Sequence, residues 1–268
     1  MINRKGRLVV IDGLDGTGKA TQVEMLKEYL IKQRMVYDKD FTIVDFPRYK
    51  QESCHMVESY LAGRFGDDPN MIDPYTSSMF YAIDRSISYK TENWGRVYDN
   101  GGLVIADRYT SSNVIHQAGK LKFNNSGLSA MEMMDDDQFY RSADFCDFIK
   151  WLYTTEYDRI GIPTPNLIIY LKLSEEANTK LMQNRIKTEN HFTDIHESNN
   201  EYLNSCRKAL NAYQKLMSDP NIRIRTGVND NTYKIRHAFI QEDNYGEIMT
   251  KEQIHNKIKK TIIDNFII

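Results

Sequence analysis

Cysteine is scarce in this chain of 268 residues, which has only Cys54, Cys146 and Cys206. The three are far apart in sequence, and no two of them form a C-x-x-C pair. Disulfide-stapled domains and zinc sites need more cysteines at closer spacing. We therefore expect reduced thiols in a cytoplasmic protein, and neither a disulfide framework nor a zinc site.

Long apolar runs and an excess of one charge are also missing. The first apolar run, Leu8-Val9-Val10-Ile11, is far shorter than a signal peptide or a membrane span requires. Lysine and arginine number 35 and aspartate and glutamate 37, so the formal net charge is −2. This balance provides no broad basic field for a nucleic-acid polymer. We expect a soluble intracellular protein without a membrane partner, whose phosphate-binding charges are local.

A glycine-rich loop follows the first apolar run directly. Residues 13–19 read GLDGTGK, the G-x-x-x-x-G-K spacing of a phosphate-binding loop, and Val23, Leu26 and Leu30 then recur at helical spacing. Strand, loop and helix in this order allow backbone N–H groups and a helix N-terminus to surround phosphate oxygens, with Lys19 adding a charge. A glycine turn that only connects a strand to a helix is the alternative. The residues predicted to bind ATP are Gly13, Leu14, Asp15, Gly16, Thr17, Gly18, Lys19, Ala20 and Thr21.

One position departs from the general loop pattern. Ala20 follows Lys19, where many such loops have a serine or threonine that binds metal. Thr21 is next, but it lies about 100° further round the helix and its hydroxyl cannot simply replace the missing one. The string KATQ is similar to the KGTQ or KSTQ of nucleoside monophosphate kinases.

Charged residues end two further predicted strands. Arg48 follows the apolar residues 41–44, and Asp107 and Arg108 follow residues 103–106. Ligands of parallel sheets lie beyond the carboxyl ends of the strands. Asp107 is therefore predicted to hold Mg²⁺, directly or through water, and Arg108 to meet phosphates. A solvent-exposed surface arginine explains Arg48 equally well.

Two helices carry further candidates at one-turn spacing. Tyr81 and Arg85 are four residues apart on a helix that Asp73-Pro74 opens, so a ring and a guanidinium share one face. They can stack on a base and bind a phosphate, or form an ordinary half-buried core contact and an ion pair. Asn113 and His116 share a face of a short helix over 110–118, where a lone histidine is often a packing residue.

The element pattern predicts an α/β fold with a five-stranded parallel sheet flanked by helices. The strands are placed in the first apolar run and at 41–44, 103–106, 167–171 and 221–225, and the helices include 131–157 and 200–217. Residues after 225 are expected to be irregular up to Gly246, and residues 250–253 to form a capping box. One domain spans 1–268, with the phosphate loop at 13–20. The basic segment near Arg185 predicts a mobile lid at about 180–198, although a solvated helix end is the alternative.

The chain resembles thymidylate kinases, and the bacterial members in particular. The strings that carry the resemblance are GLDGTGKATQ, DFPRY, FYAIDR, ADRYTSSN and GIPTPNLIIYL, which occur in the family order over about the first two-thirds of the chain. The resemblance implies the P-loop NTPase fold, ATP and Mg²⁺ as cofactors, and a homodimer. Asn166 stands where the family commonly has aspartate, and extra residues lie near 120–137 and 227–246.

The resemblance also implies residue roles. Asp15 would contact the acceptor sugar, Arg48 and Arg85 its phosphate, and Arg108 both phosphates. Tyr81 would stack on thymine, Asn113 would approach the base edge, His116 would crowd the sugar C2′, and Gln117 would join the acceptor site. Because position 16 is glycine, the transition-state arginine would lie in the lid, where Arg185 is the candidate. The catalytic set is Asp15, Lys19, Arg108 and Arg185.

The reaction predicted from these residues is the ATP-dependent phosphorylation of dTMP to dTDP. The acceptor phosphate is already an anion at neutral pH, so alignment and charge neutralisation are enough and no strong general base is needed. A kinase for another nucleoside monophosphate or a deoxynucleoside is one alternative. A nucleotide-binding switch without an acceptor is another.

Overall fold

The computed structural model describes residues 5–36, 40–121, 134–174, 176–178, 195–196, 199–219, 233–244 and 247–265. Its central feature is a five-stranded parallel sheet, as the sequence predicts. The strands are β1 (Arg7–Gly13), β2 (Phe41–Asp45), β3 (Leu103–Asp107), β4 (Leu167–Lys172) and β5 (Arg236–Gln241), in the order β2-β3-β1-β4-β5. A short antiparallel pair, β6 (Asp243–Asn244) and β7 (Glu247–Ile248), follows.

Helices cover both faces of this sheet. They are α1 (Lys19–Lys32), α2 (His55–Leu61), α3 (Pro74–Thr91), α4 (Asn93–Asp99), α5 (Thr110–Ala118), α6 (Asp136–Tyr140), α7 (Ala143–Tyr153), α8 (Asn200–Ser218) and α9 (Lys251–Asn265). A π-helical turn, Thr154–Ile160, continues α7. Among the described helices, none is long and apolar enough to cross a membrane.

Strand β1 shows why both faces are covered. Leu8 and Val10 pack into one hydrophobic cluster with α5, α7 and α8, whereas Val9 and Ile11 pack into the other with α1 and α9. Successive side chains of a strand point to opposite faces, so a run of four apolar residues buries itself on both. β1 lies in the middle of the sheet, and its carboxyl end delivers the glycine-rich loop.

Two sequence predictions about the elements are wrong. Residues 236–241, expected to be irregular, form β5, while the segment 221–225 predicted as the fifth strand lies outside the described residues. The predicted single helix over 131–157 is divided, because Ser142 begins a new helix by accepting a hydrogen bond from the Phe145 N–H. Residues 122–133 of that prediction and its flanking loop lie outside the described residues.

Several smaller predictions are confirmed. α5 spans the predicted 110–118, Asp73 caps α3, and Thr250 and Gln253 form the reciprocal capping box of α9.

Asn166, the departure from the family pattern, bridges two strands: its Oδ1 accepts from the Leu8 N–H at 2.8 Å and its own N–H donates to Leu8 O at 2.8 Å. The amide oxygen makes the contact that a carboxylate would make there.

Candidate active site

The glycine-rich loop wraps around its own lysine. Gly13, Gly16 and Gly18 have φ values of 146°, 82° and 69°, a region that residues with a Cβ rarely adopt. Lys19 Nζ donates to Leu14 O at 2.8 Å from inside this loop. Burial and the charge of Arg108 lower the pKa of Lys19 to about 8, against the attraction of Asp15. Such a lysine gains free energy when anionic phosphate oxygens replace the carbonyl.

Asp15 and Arg108 form an ion pair beside the loop. Burial alone would raise the pKa of Asp15, but the charges of Arg108 and Lys19 hold it well below its usual range. Arg108 adopts φ 66°, and its N–H donates to Ile11 O at 2.9 Å. This left-handed backbone conformation turns the chain at the end of β3 and brings the guanidinium to the loop.

Asp107 ends β3 with an unused oxygen. Its Oδ1 is buried and has no hydrogen-bond partner in the part of the chain that the structure describes. Burial raises the pKa of this carboxyl despite the nearby charges of Lys19 and Arg108. A hard cation would satisfy that oxygen. Across the described ranges, no group of three or more His, Cys, Asp or Glu side chains forms a metal site.

Arg85 reaches across from α3 to the π-helical turn. Its Nε and Nη2 donate to the two carboxylate oxygens of Glu156, both at 2.7 Å, and both side chains are buried. Glu156 also accepts from Thr110 Oγ1 at 3.0 Å and lies 3.5 Å from Asn113 Nδ2. One buried carboxylate thus orients side chains of α3 and α5, while Tyr81 lies one turn before Arg85.

Arg48 points to carboxylates at the edge of the site. Its guanidinium pairs with Glu92 at the end of α3 and with Asp45 at the end of β2. Its N–H donates to Asp84 Oδ2 at 2.8 Å. The side chain is about one-fifth exposed. The predicted contact of Arg48 with an acceptor phosphate stays a prediction.

Helix α5 presents three polar side chains to the same space. Asn113 Nδ2 donates to Ser78 O at 3.3 Å, and His116 Nε2 lies 3.4 Å from Arg108 Nη1. Burial lowers the pKa of His116 to about 4, so the imidazole is neutral and its Nε2 accepts from the arginine. Gln117 is fully buried, and its Oε1 accepts a hydrogen bond from Ser77 Oγ at 2.7 Å.

These side chains line one cavity of about 850 Å³. It extends from the glycine-rich loop to α3 and α5. The predicted site residues on its wall are Asp15, Gly16, Gly18, Lys19, Ala20, Thr21, Tyr81, Arg85, Asp107, Arg108, Asn113, His116 and Gln117. Gly13, Leu14 and Thr17 form the frame of the loop, and Arg48 lies outside the lining. Arg185 and most of the predicted lid lie outside the described residues.

Sequence reasoning missed Glu156, His196 and Lys120. A charged residue inside the aromatic stretch WLYTTEY was a signal for Glu156, because a carboxylate in such surroundings needs a buried partner. His196 lies on the cavity wall and stacks on His116, with ring centroids 5.9 Å apart. Its polar sequence context gave no signal for this position.

Known proteins with similar sequences are thymidylate kinases. The family model described as thymidylate kinase matches residues 11–133. A thymidylate kinase of Mycobacterium tuberculosis (strain ATCC 25618 / H37Rv) is 29% identical over 171 residues, which cover 63% of this chain and 67% of the relative. One from Dictyostelium discoideum is 25% identical over 177 residues, or 66% of this chain and 63% of the relative. The chain spans about half of the relative from Thermoanaerobacter sp. (strain X514), at 51%.

Solved structures share the fold over nearly the whole chain. Thymidylate kinase from Candida albicans matches with a TM-score of 0.59 and 18% identity, covering 97% of this chain and 92% of that one. The enzyme from Ehrlichia chaffeensis matches with a TM-score of 0.55 and 15% identity, covering 96% and 99%. The predicted P-loop NTPase fold is therefore confirmed.

Proposed function

We propose that this chain is a member of the thymidylate kinase family and phosphorylates dTMP to dTDP with ATP as the donor. One observation carries the proposal: the phosphate loop and the predicted acceptor residues line a single cavity. Donor and acceptor phosphates can then meet without crossing solvent. We further propose that the whole of 1–268 forms one catalytic unit in the cytoplasm, in keeping with three free cysteines.

The reaction needs alignment of two phosphates more than it needs a base. An oxygen of the acceptor phosphate attacks the γ-phosphorus, and the bond from that phosphorus to the bridging oxygen of ADP breaks. Lys19 and Arg108 are cations on the cavity wall beside the glycine-rich loop, and Asp15 pairs with Arg108. Charge on the transferring group is neutralised by such preorganised donors. We assign Arg85 to the acceptor phosphate and Tyr81 to the base, as predicted.

The donor set at Asp107 fits Mg²⁺. A single buried carboxylate oxygen without a protein partner matches an ion that takes its other ligands from water and phosphate. Asp107 would hold the ion, which supplies further neutralisation of phosphate charge when it is bound. We also propose that Arg185 is the arginine that stabilises the transition state.

The proposed homodimer would form through the outer face of α3. Tyr75, Ile83 and Ile87 lie on one row of the helix at multiples of four residues, and all three are exposed. Exposed apolar residues in a continuous row are typical of an interface. We propose that this row packs against the same row of a second copy of the chain.

A coupled assay of ADP release across nucleoside monophosphates tests the proposed function. We expect ADP to form with dTMP and to depend on it, and Lys19→Met to lose most turnover because phosphate charge is no longer neutralised. Lys27→Met, on the exposed side of the same helix, is the matched control and should keep its activity. ADP release without any acceptor would favour a switch, and a preference for another acceptor would favour the related kinases.

A further inference from the structure

A buried asparagine contacts the backbone of the glycine-rich loop from outside the loop. Asn178 lies shortly after β4 and is only 5% exposed. Its Nδ2 donates to Asp15 O at 2.8 Å, and its Oδ1 accepts from Arg207 Nη2 at 3.1 Å. Arg207 belongs to α8, so this one amide connects the loop to that helix.

The two partners of Asn178 fix the orientation of its amide. A guanidinium has donors only, so the atom of Asn178 that faces Arg207 must be the oxygen. A carbonyl accepts only, so the atom that faces Asp15 O must be the nitrogen. Rotation of the amide would place nitrogen against the guanidinium and oxygen against the carbonyl, and both contacts would oppose like groups. Arg207 therefore keeps a donor directed at the loop.

That donor sets the direction of the peptide group between Asp15 and Gly16. The peptide is trans, because the cis bond of the described chain is Phe46-Pro47. The C=O and N–H groups of a trans peptide point in opposite directions. With the carbonyl held by Asn178, the Gly16 N–H points away from it, and Gly16 lines the cavity. No acceptor for this N–H lies among the described residues, so it is available to a phosphate oxygen.

We propose that Asn178 and Arg207 are positioning residues of the ATP site. Arg207 orients the Asn178 amide, and Asn178 holds the peptide after Asp15 with its N–H directed to the phosphates. Asp15 is then held at two places, since its carboxylate pairs with Arg108 and its carbonyl accepts from Asn178. A donor that is oriented before the ligand arrives binds phosphate charge more strongly, because no reorientation is needed on binding. Without Asn178, the same peptide can turn its carbonyl oxygen towards the phosphates, where it repels them.

Calorimetric titration separates this positioning from a general loss of structure. The measured quantities are the Kd for ATP and for inorganic tripolyphosphate, with the Kd for dTMP as an internal reference. Asn178→Ala removes the donor, so the Kd for both phosphate ligands should rise at least about fivefold while the Kd for dTMP is unchanged. A purely structural role would weaken dTMP as well. Asn211→Ala, at an exposed asparagine of α8, is the matched control and should keep all three values.

Asn178→Asp provides a second variant of nearly the same shape. It keeps a partner for Arg207 but turns a carboxylate oxygen towards Asp15 O, so the Kd for ATP should rise at least about tenfold. Asn204→Asp is the control for the added charge, because Asn204 Oδ1 also accepts from Arg207 and the residue is exposed. An equal loss in this control would assign the effect to charge and overturn the proposed contact. If Asn178→Ala does not fold, this pair of variants decides alone.

A double-mutant cycle tests the part of Arg207. Arg207→Met leaves the amide free to rotate and should raise the Kd for ATP by a smaller factor than Asn178→Ala. Since Arg207 is proposed to act through Asn178, Arg207→Met should have no further effect in the Asn178→Ala background. Two additive losses would overturn the role of Arg207. Equal Kd values for ATP in the wild type and the Asn178 variants would overturn the whole inference.

The inference rests on the ATP site of the proposed function and not on the acceptor. A wild-type protein that binds ATP but phosphorylates no nucleoside monophosphate would contradict the proposed kinase, and the titrations would still test Asn178. An active wild type with unchanged Asn178 variants would overturn the inference alone. A wild type that binds neither ATP nor tripolyphosphate would overturn both.

Discussion

His116 illustrates how one side chain takes part in two contacts that sequence cannot separate. Its Nε2 lies 3.4 Å from Arg108, and its ring lines the cavity and stacks on His196. The first contact positions Arg108, which is proposed to bind phosphate, whereas the second places a ring where the sugar is proposed to lie. Two substitutions of the same residue separate these effects.

Truncation of His116 tests the sugar contact. His116→Ala should open space at the sugar C2′ and raise kcat/KM for ribo-TMP relative to dTMP, because a 2′-hydroxyl no longer meets the ring. Both nucleotides are measured in wild type and mutant. If the two activities fall in parallel and the ratio stays constant, His116 supports Arg108 and the fold but does not select the sugar.

The lowered pKa of His116 predicts a dependence of stability on pH. The pKa of His116 is about 4 in the folded protein, against an ordinary histidine pKa of 6.5, so between these two pH values the unfolded chain binds a proton that the folded chain does not. The contribution of His116 to the unfolding free energy is therefore fully present above pH 6.5, and it is lost as the pH falls towards 4. His116→Phe should reduce the loss of unfolding free energy between pH 7 and pH 5 by about 2 kcal/mol.

Urea unfolding at the two pH values measures this difference. His55→Phe is the control, because His55 is exposed and should leave the pH slope unchanged. Equal slopes for wild type and His116→Phe would show that the imidazole is protonated as readily in the folded protein as in the unfolded chain.

At the scale of the element, α3 depends on its first turn. Asp73 Oδ1 accepts from the N–H groups of Tyr75 and Thr76 at 2.9 and 3.0 Å. Asp73→Ala should lower the unfolding free energy by about 1 kcal/mol, because two N–H groups lose their partner. Asp73→Asn keeps the accepting oxygen and should recover most of the loss. Thermal unfolding of the two variants gives the comparison, and equal melting temperatures would contradict a capping role.

Local sequence signals predicted the elements whose cause is local. The Asp73-Pro74 cap, α5 and the capping box of α9 depend on residues within one turn, so they could be read directly. The partner of Arg85 could not be predicted from local sequence. Glu156 is 71 residues away, and only the packing of α3, α5 and the π-helical turn brings the two together. The same applies to Arg48 and Glu92, which are 44 residues apart.

At the scale of the molecule, the exposed row of α3 sets the expected assembly. Ile87→Glu would bury a carboxylate in the proposed interface, so the variant should be monomeric at protein concentrations where the wild type is a dimer. Sedimentation velocity measures the change. Ile263→Glu, at an exposed isoleucine of α9, is the control and should leave the mass unchanged. A monomeric wild type would contradict the proposed homodimer.

The sheet was predictable except at one of its two edge strands, β5. β1 and β4 are buried on both faces, and their continuous apolar runs are visible in the sequence. β5 reads RHAFIQ and is largely half-buried, and within the described part of the chain it pairs with β4 alone. β5 carries mixed residues and lacks the apolar run that identified the other strands, including β2 at the opposite edge. Strand order was also beyond local signals, since it depends on which long-range pairs form.

The central position of β1 has a consequence for synthesis of the chain. Its two neighbours are β3, which begins at Leu103, and β4, which begins at Leu167, so β1 is synthesised well before either of its partner strands. At usual elongation rates the wait until β4 is complete lasts on the order of 10 to 30 s. During that time the run Leu8-Val9-Val10-Ile11 has an unpaired edge on the side that β4 later covers. A chaperone that binds short apolar segments would find a site on the nascent chain there, next to the glycine-rich loop.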